Sequence, residues 1–166
     1  MRYGLRCLLL AAWLVAVPAW ADTLRGVVIV VIDGDTVLFR PDHYGARSRA
    51  FLKLRLADID APEHDQVGGE AATRALASLV LKQPVEVHIV ATDVYGRSIA
   101  RLQLGALQVN AEMVRLGQAW LATRGRDTPA LSAALDEARR AKRGIWSDAD
   151  PVPPWVWRRG TSGSAH

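Results

Sequence analysis

The chain has 166 residues and a single cysteine, Cys7. It also lacks paired cysteines, a glycine-rich phosphate loop and an internal repeat, so nothing in it supports a zinc, flavin or nucleotide-cofactor site. Half of the residues are hydrophobic, which excludes disorder of the whole chain. The length suits one domain with a sizeable core, and it is too short for two domains of ordinary size.

The N-terminus predicts a secretory signal peptide over residues 1–21. Arg2 and Arg6 precede an apolar run at 7–17, and the small-x-small triplet 19–21 follows. An uncleaved membrane anchor is the alternative, but the run is shorter than the roughly 20 residues that a spanning helix needs. We therefore expect an exported protein, periplasmic or secreted, with no stable membrane association after cleavage.

Cleavage changes both the charge and the cysteine content. It removes two arginines and no acidic residue, so the formal charge falls from +4 to +2. It also removes Cys7, so the mature protein has no disulfide and noncovalent packing must hold its core together. A mildly basic chain suits a polyanionic partner, although the arrangement of the charges matters more than their sum.

The first half of the mature chain predicts three strands in a meander. Residues 24–32 form a β-branched run, and Asp33-Gly34 before the apolar run 37–40 is a strong hairpin signal. Turn chemistry explains Asp33 and Gly34 but leaves Asp35 unexplained. The third strand alternates three leucines with two basic residues: Leu52, Lys53, Leu54, Arg55 and Leu56.

A loop with three carboxylates follows this strand. Pro62 removes a backbone donor, so strand pairing should stop near Asp60. Arg55 and Asp60 are separated by an odd number of residues, which a regular pleat sends to opposite faces. If they share a site, a bulge or a strand end must lie between them.

The second half predicts further helices and two more strands. Residues 70–82 have helical spacing, residues 85–89 and 97–104 alternate as strands, and a good N-cap opens each of two later helices. These caps are Asn110 and Thr128, the latter followed by Pro129 at the first helical position.

Five short strands with a helix after the third predict an α+β fold built on a five-stranded closed barrel of the oligonucleotide-binding (OB) type. Three α-helices complete this domain, which covers residues 22–148. From residue 149 the chain is rich in proline and tryptophan, and it predicts an extended C-terminal tail, 149–166, with a disordered end.

If the barrel closes, several charged residues can gather at one place: Asp35, Arg55, the loop from Asp60 to Glu63, and Arg97. Two aspartates with backbone carbonyls and water make a hard oxygen site suited to calcium. Two arginines offer planar donors to phosphodiester oxygens, and a glutamate beside them can activate a water. These parts fit metal-assisted phosphodiester hydrolysis.

Five motifs, in this order and at these separations, resemble the staphylococcal nuclease-like (thermonuclease, or micrococcal nuclease) family. The resemblance covers roughly residues 24–148, almost the whole mature domain. Any one of the motifs is weak, but the set is highly specific. They are Ile32-Asp33-Gly34-Asp35-Thr36, Arg55-Leu56-Ala57-Asp58-Ile59-Asp60-Ala61-Pro62-Glu63, Asp93-Val94-Tyr95-Gly96-Arg97, Val109-Asn110 with Val114-Arg115-Leu116-Gly117, and Lys142-Arg143-Gly144-Ile145-Trp146.

The resemblance implies an OB-fold barrel with three helices and a calcium-dependent nuclease that acts on DNA and RNA and leaves 3′-phosphate ends. It implies that Asp35, Asp60 and the backbone carbonyl of Ala61 hold Ca²⁺. It further implies that Glu63 is the general base and that Arg55 and Arg97 bind the phosphate. Tyr95 would contact a neighbouring phosphate, and Asp33 would support the metal ligands without contacting the metal itself.

Three positions depart from the staphylococcal enzyme. Ala61 stands where that enzyme has threonine, Val94 where it has lysine, and Thr123 where it has an aromatic residue, so substrate positioning is expected to differ. Two other classes remain open. A non-cleaving OB-fold nucleic-acid-binding module is the main alternative, and a calcium-stabilised structural domain is the second. We expect a monomer.

Overall fold

The computed structural model describes residues 23–162, so the predicted signal peptide at 1–21 lies outside the described residues and stays a prediction. No helix within 23–162 is long and apolar enough to cross a membrane. The strands are β1 (Thr23–Asp33), β2 (Thr36–Pro41), β3 (Leu52–Leu56), β4 (Ile59–Asp60), β5 (Pro84–Thr92), β6 (Ser98–Leu104), β7 (Leu107–Gln108) and β8 (Trp120–Leu121). The helices are α1 (Gly69–Val80), α2 (Val109–Arg115), α3 (Pro129–Arg140) and α4 (Pro154–Ser162), with short 3₁₀ helices at Asp42–Tyr44 and Gly144–Ser147.

Five of these strands close into a barrel. Antiparallel pairing runs β3, β2, β1, β5, β6, and a parallel pairing of β3 with β6 joins the two ends. Breaks in the β1–β2 register between Val28 and Val30 and between Val31 and Asp33 bend β1 as barrel closure requires. The α+β fold with a five-stranded OB-type barrel is confirmed.

The barrel interior is filled by the apolar positions that the strand alternation predicts. In β3, Leu54 and Leu56 are buried while Lys53 is exposed. Helix α1 covers β1 with Ala72, Leu76 and Val80, which lie at helical spacing and are fully buried. A single apolar core therefore holds the strands at fixed positions relative to α1, without a disulfide in the described residues.

Helix α3 begins as predicted, whereas the tail does not behave as predicted. The Thr128 side chain accepts a hydrogen bond from the Leu131 amide at 3.3 Å, and Pro129 occupies the first helical position. The tail was expected to be extended, but residues 154–162 form α4, a fourth helix beyond the predicted three. Pro154 at its first position was the available signal for a helix start.

Asn110 is not the N-cap of α2; that position belongs to Gln108, and Asn110 lies inside the helix. Its side chain is buried and joins three separate backbone groups. The amide oxygen accepts from the Leu102 amide at 3.0 Å, and the amide nitrogen donates to the carbonyls of Ala57 at 2.9 Å and Ala100 at 3.2 Å. Asn110 thus ties α2 to β6 and to the end of β3.

We expect Asn110→Ala to lower the free energy of unfolding by about 3 kcal/mol, because it leaves buried backbone groups without their partner. Urea denaturation of the chain from Asp22 onward measures this loss. Gln103→Ala, which removes a hydrogen bond at the exposed Gly105 carbonyl, is the matched control and should cost less than about 0.5 kcal/mol. Equal losses would show that the buried amide is not a structural tie.

Candidate active site

The turn between β3 and β4 brings Arg55 and Asp60 to one side of the barrel. Strand β3 ends at Leu56, and Asp58 adopts a left-handed conformation with φ of 66°. Aspartate tolerates this conformation better than most residues. The Asp58 carboxylate accepts from Arg101 at 2.6 Å and from the Arg126 amide at 2.7 Å, which fixes the turn. The break predicted between Arg55 and Asp60 is therefore present.

Arg55 bridges two buried carboxylates. One terminal nitrogen lies 2.5 Å from Asp35 Oδ1 and the other lies 2.6 Å from Asp60 Oδ1. Burial alone would lower the pKa of the guanidinium, but the charges of Asp35 and Asp60 outweigh it and raise that pKa. Arg55 is thus a permanent cation between two carboxylates whose side chains are 3% and 7% exposed.

Asp35 is positioned by the residues on both sides of the β1–β2 turn. Its amide donates to Asp33 Oδ1 at 3.0 Å. Its carboxylate accepts from the Thr36 hydroxyl at 3.1 Å and, across the barrel, from the Ala61 amide at 2.8 Å. Burial raises the pKa of the Asp35 carboxyl to about 7, whereas Arg55 and the Ala61 amide favour its ionised form.

Glu63 lies at the rim of this cluster, with a side chain that is 38% exposed. The loop behind it is tightly bonded: the Glu63 amide donates to Gln66 Oε1 at 3.1 Å, and the Gln66 amide donates to the Glu63 carbonyl at 2.9 Å. A Cβ at Gly69 would lie 1.9 Å from that carbonyl oxygen, so the loop needs glycine there. Glu63 is therefore held on a closed loop and still faces solvent.

Sequence reasoning missed a second guanidinium at this cluster, that of Arg158 in α4. It donates to Glu63 Oε1 at 2.5 Å and to Asp60 at 2.7 Å on Oδ2 and 3.3 Å on Oδ1. Its hydrogen bond to Asp60 raises the pKa of the Arg158 guanidinium further above its ordinary value. The available sequence signal was a basic pair directly after Trp157 in the tail, and no local pattern shows which distant carboxylates such a pair will contact.

Arg97 and Tyr95 lie in the turn between β5 and β6. The Arg97 side chain donates to Asp93 Oδ2 at 2.7 Å, and its guanidinium lies 5.6 Å from the centre of the Tyr95 ring, which is 81% exposed. The β3–β6 register pairs Arg55 with Ile99. Arg97 comes directly before Ser98, which pairs with Leu54 of β3, and its side chain pairs with Asp93 within the turn.

The structure thus brings Asp35, Arg55, Asp60 and Glu63 into one hydrogen-bonded cluster, which Glu63 joins through Arg158. The Arg97 side chain pairs with Asp93 in the turn before β6 and not with a member of this cluster. Comparison with known proteins identifies the family. A family model described as "Staphylococcal nuclease homologue" matches residues 53–148. The chain belongs to the staphylococcal nuclease family.

Individual relatives within this family match over most of their length. A protein of Escherichia coli O157:H7 named "Uncharacterized endonuclease" is 40% identical over 142 residues, covering 85% of this chain and 89% of the relative. A "Micrococcal nuclease" of Shigella flexneri is 39% identical over 164 residues, covering 92% and 90%. "Protein ParB" of Escherichia coli is 42% identical over 161 residues, covering 90% and 87%.

The staphylococcal nuclease family implies a calcium ion, and the donor set of the cluster fits one. The Oδ1 atoms of Asp35 and Asp60 converge on the same guanidinium, so both carboxylates reach a common point. A carboxylate has about four acceptor positions, and each of these two accepts three described hydrogen bonds. Within residues 23–162, no three acidic, histidine or cysteine side chains form a metal-holding group, so carbonyl or water oxygens must complete the shell.

We expect Arg55→Met to lower the free energy of unfolding by about 3 kcal/mol or more in chelator, because it leaves two buried carboxylates without their shared cation. Arg97→Met is the matched control. Its pair with Asp93 is partly exposed and lies within one turn, so its removal should cost less than about 1 kcal/mol. Thermal or urea unfolding of both variants compares these costs, and equal values would contradict a structural role for the Arg55 bridge.

Proposed function

We propose that this protein is an exported, calcium-dependent nuclease that hydrolyses phosphodiester bonds of DNA and RNA and leaves 3′-phosphate ends. Membership of the staphylococcal nuclease family and relatives named endonuclease and micrococcal nuclease support phosphodiester hydrolysis. The N-terminal sequence supports export, to the periplasm or out of the cell. We propose a monomer with polynucleotide as its substrate partner.

One observation carries the proposal: a solvent-facing carboxylate, Glu63, adjoins the buried Asp35–Arg55–Asp60 bridge. A protein that only bound nucleic acid would gain nothing from an exposed glutamate facing a polyanion. A base that must reach a water molecule has to be exposed and positioned, and the Gln66 hydrogen bond fixes the backbone from which the Glu63 side chain extends. Glu63 is accordingly the residue that takes the proton from the attacking water.

The arginines have a separate task. Negative charge builds up on the phosphate oxygens as the water oxygen attacks phosphorus and the bond to the 5′ oxygen breaks. Guanidinium groups from Arg55 and Arg97 donate to those oxygens, and the departing 5′ oxygen takes up a proton from solvent water. Tyr95, at the tip of the β5–β6 turn, contacts a neighbouring phosphate.

Asp35, Asp60 and the Ala61 carbonyl are the proposed Ca²⁺ ligands. The bound cation supplies charge stabilisation at the phosphate and helps to place the water. With only two protein carboxylates, calcium affinity should be low until a substrate phosphate joins the shell, which suits an exported protein that meets abundant calcium.

We expect Glu63→Gln to lower kcat by about two to four orders of magnitude, because the amide cannot accept the proton from water. The assay follows cleavage of single-stranded DNA, duplex DNA and RNA by the chain from Asp22 onward, with calcium or with chelator. Glu70→Gln, which changes an exposed glutamate paired with Arg74 in α1, is the control and should retain full activity.

Two outcomes of that assay would reject parts of the proposal. Binding without cleavage in any metal would reject the enzyme and favour a non-cleaving OB-fold binding module. Full activity of Glu63→Gln beside an active wild type would leave the nuclease standing and remove Glu63 as its base. End-labelling of the products then tests for 3′-phosphate ends.

Arg97→Ala should reduce kcat by about two to three orders of magnitude, the loss expected for one donor that acts in the transition state. Arg97→Lys should fail to restore the rate, because lysine keeps the charge but loses the planar pair of donors. Steady-state cleavage of one DNA substrate gives both values. Near-full activity of either variant would exclude Arg97 from the phosphate clamp.

A further inference from the structure

Arg158 belongs to a segment beyond residues 53–148, the part of the chain that matches the family model. Helix α4 places it beside the candidate site, where one guanidinium contacts both a proposed calcium ligand and the proposed base. The contacts to Asp60 and Glu63 measure 2.7 Å and 2.5 Å. An arginine that spans these two residues lies in the space that a bound phosphodiester must enter.

The approach of the tail to the site is fixed by contacts other than those of Arg158 itself. Gln66, which also holds the Glu63 amide, donates from its side chain to the Val152 carbonyl at 2.6 Å. The Trp157 indole contacts Asp65 at 3.4 Å, and Pro154 is buried at the start of α4. The tail is therefore bonded to the same loop that carries Glu63, so Arg158 is held at a defined position beside that residue.

Charge balance explains what a second guanidinium contributes. Asp35, Asp60 and Glu63 bring three carboxyl groups together, and Arg55 supplies one positive charge between two of them. A polynucleotide phosphate adds another negative charge. Arg158 and Arg55 donate to the same oxygen, Asp60 Oδ1, at 3.3 Å and 2.6 Å, so the second guanidinium lies directly beside the first.

The two arginines differ in exposure. The Arg55 side chain is 21% exposed and lies between two buried carboxylates, whereas the Arg158 side chain is 45% exposed. A ligand from solvent therefore reaches Arg158 first. Arginine is also well suited to bind phosphate, because its planar donors match two phosphate oxygens at once.

We propose that Arg158 is a substrate-binding residue whose guanidinium binds the phosphodiester in the active site. This inference rests on the proposed nuclease function. Without substrate, Asp60 and Glu63 accept the hydrogen bonds of Arg158. With substrate, phosphate oxygens replace Glu63 as acceptors, so the same event that binds the phosphate also releases Glu63 to accept a proton from water.

The test uses the chain from Asp22 onward, with Arg158→Ala, Arg158→Lys and the control Arg159→Ala. Arg159 is the next residue of α4 and is exposed, so the control removes an equal charge from the same helix. Fluorescence anisotropy with a single-stranded DNA oligonucleotide in chelator measures binding without cleavage. Cleavage in calcium then gives KM and kcat.

In chelator, Arg158→Ala should weaken binding about tenfold to a hundredfold, the loss expected for hydrogen bonds to a charged group. The plot of log affinity against log salt should become shallower by about 0.7, the value for one phosphate contact on a single strand. The DNA affinity of Arg158→Lys should lie between those of Arg158→Ala and the wild type. Arg159→Ala should change the affinity less than about threefold. In calcium, KM should be highest for Arg158→Ala, intermediate for Arg158→Lys and close to the wild-type value for Arg159→Ala.

Three results would overturn the proposal. Unchanged DNA affinity and KM with a lowered melting temperature would make Arg158 a structural brace. Tighter calcium binding by calorimetry together with faster cleavage would make α4 a barrier to the site. Equal losses of DNA affinity in Arg158→Ala and Arg159→Ala would show that the net charge of α4 matters and that Arg158 makes no specific phosphate contact.

Two further controls separate the possible failures. If Arg158→Ala does not fold, the folded lysine variant decides the matter. A phosphate contact then predicts a measurable loss of affinity, because the planar donors are lost, with an unchanged salt dependence, because lysine keeps the charge. Absence of cleavage by the wild type would reject the proposed function, whereas the anisotropy series in chelator would still show whether Arg158 binds phosphate.

Discussion

The candidate site depends on one interaction, the bridge from the Arg55 guanidinium to the carboxylates of Asp35 and Asp60. Two carboxylates brought together in a buried place repel each other, and burial disfavours the charge on each. A guanidinium between them opposes both effects. The shared guanidinium therefore holds the two carboxylates close together.

The bridge depends on the barrel, because the barrel holds the three residues of the bridge in position. Asp35 comes from the β1–β2 turn, and the pairing of Thr36 with Arg55 places it beside β3. Asp60 lies in β4, which pairs with β8 opposite Trp120. Closure of the barrel by β3 and β6 brings the β5–β6 turn with Arg97 to the same side. Three separate parts of the chain, the β1–β2 turn, β3 and β4, thus meet in the bridge itself.

The tail extends this site beyond the barrel. Through Gln66 and Trp157 it is bonded to the loop that carries Glu63, and it supplies a more exposed arginine beside the buried one. The two arginines then have different tasks for a physical reason. A buried guanidinium whose charge two carboxylates require cannot leave them without a large penalty, whereas an exposed guanidinium can exchange one anionic partner for another.

Local sequence determined the features that depend on neighbouring residues. Alternation of apolar residues predicted β3, the Asp-Gly pair predicted the first hairpin, and Thr128 with Pro129 predicted the start of α3. The odd spacing of Arg55 and Asp60 even required the break that the left-handed Asp58 provides. The motif set also indicated the staphylococcal nuclease family, because motif order and spacing are properties of the chain itself.

Only the tertiary structure decided which distant groups meet. Asn110 reads as a helix cap in the sequence, yet it bonds Ala57, Ala100 and Leu102, because barrel closure brings those backbone groups to it. Arg158 lies 98 residues after Asp60 in the chain, and no local rule connects them. Hydrogen bonds and ion pairs act over a few ångströms in space, so the sequence named the chemical groups and the folded barrel selected their partners.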